Sequence, residues 1–537
     1  MVNRIVSYVQ NYPFLSLGLS FLFILLFQSL NILWGFELLD SGFHLTAFDN
    51  IFDAPDSISY NFMYYLTNVI GGGMLKLFPN LGILGFRIVG AVMVDIALIL
   101  IFCVLRKDIP VIHLLIGAVL VVVCYNKVPY SLNNGICTCF FYVCFLILLY
   151  KGIICRNNVL LFLSGCLVGI NVFTRIPNVL AVGLGLVILI NQWFINRKVE
   201  LAWIALFWFF VGVTIGVSAV AVLIVSLGHQ SAFVEAMQIL FLKGTSSSDT
   251  HSVGNLVIAQ LYTDLIAVIY AASFFTVFYI NKRLEKDHAI HIAFIVLASM
   301  VIAYHVYLNN AYNPLWALCM VGCLIGFSMK GSTALLAILA LYMMVVEPIG
   351  SNSGYNHGSL PALLAAPLAS SVILNRRNII FVMVVCAAIG LSLVKQGNYS
   401  DFGPLSDKQY EINAKECMYI RTTQERASMM NVSLPKLKSY VHAEDTLLVY
   451  GSAPMLNYLT HTRPAGGMCW PGGGFFVKPF ETAPKILVHK FEDPTAPTSQ
   501  LIRGVPTGNM MIDAYMQEHQ YKIVWENSYF ILLFPQK

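Results

Sequence analysis

Five carboxylates crowd one polar stretch of an otherwise apolar chain: Glu37, Asp40, Asp49, Asp53 and Asp56, within "ELLDSGFHLTAFDNIFDAPDSISYN". A carboxylate at the margin of an apolar region is partly desolvated. Its pKa then rises towards neutrality, where a general base works best. Asp40 is the candidate for that role, because it stands just beyond a long uncharged run and precedes Ser-Gly-Phe-His. Asp49, Asp53 and Asp56 fall in "DNIFDAPDS", where Asx turns and a helix cap account for them as well. His44 is placed to orient an acceptor or the base, and Asp49 to touch a substrate. Basic residues expected on the same side, as partners for an anionic ligand, are Lys76, Arg87, Lys127, Arg175 and Lys243. Asp264, Glu347 and Tyr355, the last in "EPIGSNSGYNHGS", are further candidate substrate contacts.

The elements that must position these groups are mostly membrane helices. The 537 residues are 58% hydrophobic and 11% charged, with a mean hydropathy of +0.73. Soluble chains carry about 25% charged residues, so an ordinary soluble globule is excluded. The run from Pro13 to Trp34 is longer than a signal-peptide core of about 7–15 residues and has no small-residue cleavage site after it, so it reads as a retained span. At about 20 apolar residues per crossing, about thirteen spans are expected. They cover 13–35, 81–105, 109–125, 134–150, 158–175, 177–194, 201–227, 256–280, 289–308, 313–329, 332–347, 358–374 and 379–394.

The net charge of +5 becomes informative once it is placed. Arg4, Arg106, Lys107, Lys151, Arg156, Arg197, Lys198, Lys282, Arg283, Lys286, Lys330, Arg376 and Arg377 fall on alternate loops. The positive-inside rule then puts the N-terminus in the cytoplasm and the C-terminal tail outside. Long outer loops are expected at 36–80 and 228–255. Each contains a segment suited to the membrane interface, at 59–78 and 231–242.

The division expected is a membrane domain, 1–394, and a soluble outer α/β domain, 395–537. The tail holds 14 Lys+Arg and 13 Asp+Glu, close to a soluble balance. In it "TLLVYG" and "KILVHK" read as strands, "SAPMLNYLT" and "TGNMMIDAYMQEHQ" as helices, and "YKIVWENSYFILLFP" as a hairpin turning near Glu526-Asn527. The connector 461–481 is rich in Gly, Pro and aromatics. Cys417 and Cys469 can form one disulfide if the tail faces an oxidising compartment. Scattered aspartates are not a ligand set, so no cofactor is expected, with a divalent metal left open.

An Asp just after the first span in "LLDSGFHL", an amphipathic first outer loop, "GILGFRIVGAVM", "GCLVGINVFTRIPNVL" and "LLVYGSAPMLNYLTHTRPA" give the chain a likeness to a known class. It resembles the GT-C membrane glycosyltransferases, in particular the bacterial protein O-mannosyltransferase and lipid A aminoarabinose transferase relatives. The resemblance implies a bacterial inner-membrane enzyme with inverting chemistry. A sugar would pass from a polyprenyl-phosphate donor to a hydroxyl of a lipid, glycan or protein acceptor. Asp40 would be the general base, and the outer cations would hold the donor phosphate. Two departures stand out: Asp40 is followed by Ser41 where the class often has an acidic pair, and "YNKVPYSLNNG" has no acid. The alternative is a multi-span transporter or flippase for a lipid-linked or anionic substrate, which predicts internal repeats and interrupted helices.

Overall fold

The structure, a computed structural model, describes residues 8–125, 130–191, 199–245, 253–283, 293, 297, 300, 312–329, 331–351, 353–354, 358–373, 397–398, 401–471, 479–480, 482–490, 507 and 509–536. Helix α1 (Pro13–Leu33) leads into α2 (Asp40–Asn50), a 3₁₀ helix (Pro55–Tyr64) and α3 (Tyr65–Leu77). There follow α4 (Gly82–Leu105), α5 (Val111–Cys124), α6 (Asn134–Cys155) and α7 (Asn158–Asn171). A second 3₁₀ helix (Ile176–Gly183) continues as α8 (Leu184–Leu189). Then come α9 (Val199–Ser226), α10 (Gln230–Thr245), α11 (Val253–Arg283), α12 (Tyr312–Ser328), α13 (Ser332–Val346) and α14 (Ala365–Ile373).

Among the described residues, five helices are long and apolar enough to cross a membrane, not about thirteen: Pro13–Leu33, Gly82–Leu105, Asn134–Cys155, Ala202–Ser226 and Gly254–Ala272. Five more apolar segments are shorter, at Val111–Cys124, Asn158–Asn171, Ile176–Leu189, Pro314–Ser328 and Ser332–Val346. The count falls because several hydrophobic runs do not stay helical to their ends. The run expected at 158–175 stops at Asn171, and the one at 177–194 opens as a 3₁₀ helix. The run expected at 358–374 holds only a short turn and the nine-residue α14. The spans expected at 289–308 and 379–394 lie outside the described residues, apart from single positions.

Lipid-type packing is visible in the side chains. On α1, Phe14, Leu19, Leu22, Phe23 and Leu26 are exposed, an arrangement that water would penalise and lipid would not. Helices α7 and α9 meet through small residues. A methyl at Gly165 would land on the Phe209 carbonyl, and one at Gly212 on the Phe162 carbonyl. Gly169 and Gly216 repeat the approach one turn on, so both helices carry the small-xxx-small spacing that lets membrane helices touch backbone to backbone. Between α1 and α4, Gln28 Nε2 donates to Asp95 Oδ1 at 3.0 Å, both side chains being buried.

The tail builds a five-stranded sheet in the order β6-β5-β7-β9-β8. Its members are β5 (Thr446–Tyr450), β6 (Arg463–Pro464), β7 (Lys485–His489), β8 (Lys522–Glu526) and β9 (Phe530–Phe534); the first four strands, β1 to β4, are two-residue pairs at 397–422. β5 pairs in parallel with β6 and β7, while β9 runs antiparallel to β7 and β8. β5 and β7 are covered on both faces, as their unbroken apolar sequences anticipate. The hairpin turns at Asn527, whose side chain accepts from Tyr529 N and Phe530 N at 2.9 and 2.8 Å. Helices α15 (Gln424–Lys438), α16 (Met455–Thr460) and α17 (Met510–Glu518) complete this region. Cys417 and Cys469 are buried, unpaired thiols.

Candidate active site

Between α1 and α2 the chain is irregular, yet Gly35 to Leu39 are all buried. Buried backbone must find hydrogen-bond partners, and here they come from distant elements. Arg87, on α4, donates to Gly35 O at 2.7 Å and to Ile32 O at 3.0 Å. Gly35 N donates to Arg421 O at 2.8 Å, and Phe36 N to Asp401 Oδ2 at 2.9 Å. Gly35 has φ 91°, which a residue with a side chain rarely adopts. Met455 N, at the start of α16, donates to Leu38 O at 3.1 Å. Glu37 then turns its carboxylate on the free N–H groups that open α2, accepting from Leu39 N at 2.9 Å and from Ser41 N. The direction in which Asp40 leaves the chain is thus set by four separate parts of the molecule.

Helix α2 is short and buried nearly all round, with Asp40, Phe43 and Asp49 as its accessible positions. On one side Gly42 admits the N-terminus of α16: a methyl there would sit 2.6 Å from Met455 Cα. Thr46 Oγ1 donates to Pro454 O at 3.0 Å beside it. On another side α3 presents Gly71 against the Phe48 ring and Gly72 against Ile51. Two of the three consecutive glycines of "IGGGM" are therefore contact residues, whereas Gly73 faces open space.

Asp40 itself is exposed, and none of the described side chains binds it as a cationic partner. Protein nevertheless surrounds it closely enough that desolvation, with the Glu37 charge adding to it, pushes its carboxyl up to about 7. Aromatic residues line the neighbourhood. The Phe43 ring lies 6.4 Å from Tyr60 and 6.0 Å from Tyr64, and His44 lies 5.9 Å from Tyr64. Burial lowers the His44 imidazole to about 4, against a hydrogen bond with Asn134 that raises it, so it is neutral at pH 7; among the described residues its Nδ1 has no hydrogen-bond partner. Burial pushes the Tyr64 phenol up, Arg175 pulls against that and Asp40 adds to it. Tyr64 therefore stands within electrostatic reach of both.

Arg175 follows a break in the membrane helices. After α7 ends at Asn171, the chain unwinds and Arg175 is extended, with φ −163° and ψ 121°. The break is closed by Asn178, whose amide donates to Asn171 O, Thr138 Oγ1 and Thr174 Oγ1, each at 3.0 Å. Thr67, from α3, joins through Thr174 O at 3.2 Å. Arg175 then donates to Glu347 O at 2.8 Å and Ile349 O at 3.0 Å, with the Glu347 carboxylate 3.8 Å away. Both side chains are buried.

Other expected site residues are placed elsewhere or engaged. Arg87 was expected on a donor phosphate. Instead it is 0% exposed with its guanidinium on two carbonyls, because the buried α1–α2 link needs donors. Asp49 was expected on the substrate, but it binds His461 Nδ1 at 3.0 Å, and the other ring nitrogen lies 3.4 Å from Glu416. Those hydrogen bonds, Asp49's first, raise His461 to about 9. Lys76 pairs with Asp53 at 2.6 Å on the surface. Asp264, half-buried on α11, accepts from Gln260 one turn earlier at 3.3 Å. Lys127, Tyr355 and the side chain of Lys243 lie outside the described residues. Sequence reasoning missed Tyr64, the Asn178 network, Asp401 and His461, each of which has at least one partner distant in the chain: Arg175, Thr138, Phe36 and Asp49 respectively. Among the described residues no group of three His, Cys, Asp or Glu side chains converges where a metal ion would sit.

No protein-family model matches the chain, and no curated protein does. Among solved structures it is similar to the crystal structure of ArnT from Cupriavidus metallidurans in the apo state. The identity is 12% over 96% of this chain and 97% of that one, and the TM-score is 0.43. The chemistry below is derived from this chain's own residues.

Proposed function

We propose that this protein is an inverting membrane glycosyltransferase, moving a sugar from a polyprenyl-phosphate donor to a hydroxyl of a lipid, glycan or protein acceptor at the outer leaflet. The observation that carries the reading is Asp40. It is a carboxylate at the exit of the first span, without a cationic partner among the described side chains and raised to about 7 by the protein around it and by Glu37. Such a group is half ionised at neutral pH and holds its proton strongly enough to serve as a base. In the reaction the Asp40 carboxylate takes the proton of the acceptor hydroxyl. The freed oxygen bonds to the anomeric carbon, the bond from that carbon to the phosphate oxygen breaks, and polyprenyl phosphate leaves with the electron pair.

The leaving phosphate calls for positive charge rather than an acid. Arg175 is held on the Glu347 and Ile349 carbonyls and acts only at a distance, through its field at Tyr64, so direct contact with the phosphate falls to Lys243, Lys127 and Lys76, the further cations expected on the outer loops. His44 offers a neutral ring nitrogen to the acceptor, and Glu347 acts through Arg175, which it holds. In this reading the shorter apolar helices cross the membrane too. An odd number of crossings keeps the basic loops inside and leaves a soluble domain, 395–537, outside a bacterial inner membrane.

One observation favours a transporter, the helix broken at Asn171. Transporters place a bound ion or substrate at such a break. Here the Asn178 amide fills it with three hydrogen bonds, which makes it a staple.

The test is Asp40→Asn, assayed in membranes with polyprenyl phosphate carrying a panel of labelled sugars. General-base removal costs about 10²–10⁴ in rate, so transfer should fall at least about 100-fold while the protein stays inserted and folded. Turnover unchanged in Asp40→Asn removes the reading. Polyprenyl phosphate alone should also raise the melting temperature of the purified protein.

A further inference from the structure

We infer that Glu37 is a positioning residue for Asp40: one carboxylate caps the helix that carries the base and supplies the like charge against which the base ionises. The inference rests on Asp40 being the base, and it assigns the regulation of that same site.

The geometry has two parts. Glu37 is 2% exposed, and its two oxygens accept from Leu39 N and Ser41 N, the donors on either side of Asp40. Asp40 is the first helical residue, so the cap fixes the point from which its side chain departs. A cap alone is commonly Ser, Thr, Asp or Asn, and a neutral one avoids the cost of burying a charge. A glutamate here places a second carboxylate three residues before Asp40, on the N–H groups that flank it.

Other ionisable groups around α2 do not duplicate this. From α2 itself come His44, neutral at pH 7, and Asp49, which is held by His461. The 3₁₀ helix brings Tyr60 and Tyr64, and α16 brings Tyr458 with His461 at its end. Arg87, from α4, lies in the field of both Glu37 and Asp401 and spends its donors on Ile32 O and Gly35 O. After burial, Glu37 is the charge that acts on Asp40.

The experiment needs no substrate. Full-length protein in nanodiscs is titrated by infrared difference spectroscopy, and the protonated-carboxyl band of Asp40 is identified by its loss in Asp40→Asn. The wild type should titrate near 7. Glu37→Gln should bring the midpoint about 1 pH unit lower, because a like charge is removed while the side-chain shape is kept. Glu37→Asp, which keeps the charge and shortens the reach, should stay within about 0.3 of the wild type and should melt earlier through loss of the cap. An unmoved midpoint in Glu37→Gln overturns the inference. If Glu37→Gln does not fold, the wild type decides, since a midpoint near the ordinary carboxylate value of 3.8 overturns it equally. Turnover of Asp40→Asn separates the two ideas. Retained activity removes the base, whereas an inactive Asp40→Asn beside an unmoved Glu37→Gln midpoint removes the tuning role alone.

Discussion

Replacing Gly42 by alanine drives a methyl group into the backbone of α16. The new carbon would lie 2.6 Å from Met455 Cα and 2.8 Å from its Cβ, closer than real side chains come. Neither α2 nor α16 can yield by turning a flexible side chain, so the two elements must separate. Overpacking of this kind costs about 1–3 kcal/mol. Separation also strains two hydrogen bonds, Met455 N to Leu38 O and Thr46 Oγ1 to Pro454 O, worth about 0.5–1.5 kcal/mol each. Against this, alanine is favoured over glycine inside a helix by about 1 kcal/mol. The balance is a loss of about 3 kcal/mol, more than a hundredfold in the equilibrium that docks the tail on the first loop. Hydrogen exchange of residues 453–465 in detergent-solubilised protein measures it directly, and thermal unfolding gives a second reading. Gly73→Ala is the control, because nothing lies within 4 Å of that position, and it should be neutral or slightly stabilising. If Gly42→Ala protects 453–465 as well as the wild type does, the close approach of α2 and α16 is refuted and Asp40 loses one of its supports.

Two further outcomes follow from the same contacts. His461, raised to about 9 by Asp49 and then Glu416, should add stability that is fully present below pH 6.5 and disappears as the pH passes about 9. Because the pair is partly exposed, the difference in melting temperature between wild type and His461→Gln should correspond to less than about 1 kcal/mol, and a difference that grows with pH would contradict the assignment. Arg87→Met removes two charge-assisted hydrogen bonds, each worth about 1.5–3 kcal/mol, from a buried link. Folded protein recovered from membranes should drop several-fold, and recovery equal to the wild type would show that the link has other support.

The elements legible in the sequence are those whose packing is local or simply repetitive. Long apolar runs became α1, α4, α6, α9 and α11. Apolar strands bounded by turn residues became β5, β7 and the β8–β9 hairpin, with its turn at Asn527 as expected. The helix expected at 231–242 lies inside α10. Helix α2 was not legible, because it is buried on nearly all sides and mixes Ser, Gly, His, Thr and Asn with apolar residues. Such a segment has neither a helical stripe nor a polar face to announce it. What makes it a helix is Glu37 at its entrance and glycine or methyl-sized contacts around it, all of them tertiary facts.

Charge placement shows why the candidate site was only half readable. The placement of basic residues identifies which ones stand on the sparsely charged side of the membrane, but it cannot identify what each one touches. Arg87 and Arg175 looked alike on that criterion, as outer-facing cations awaiting an anion. Both spend their guanidinium groups on backbone carbonyls, at Ile32 and Gly35 in one case and at Glu347 and Ile349 in the other. Every residue has a carbonyl, so no sequence pattern marks these as special. They become special only when irregular backbone is buried and must be satisfied. The carboxylates sort by the same rule. Glu37 is consumed by N–H groups, Asp49 by His461 and Asp53 by Lys76, and Asp56 stands in open solvent. Of the five, Asp40 is left as the acid with no partner among the described side chains, and an unspent carboxylate is what the proposed reaction requires.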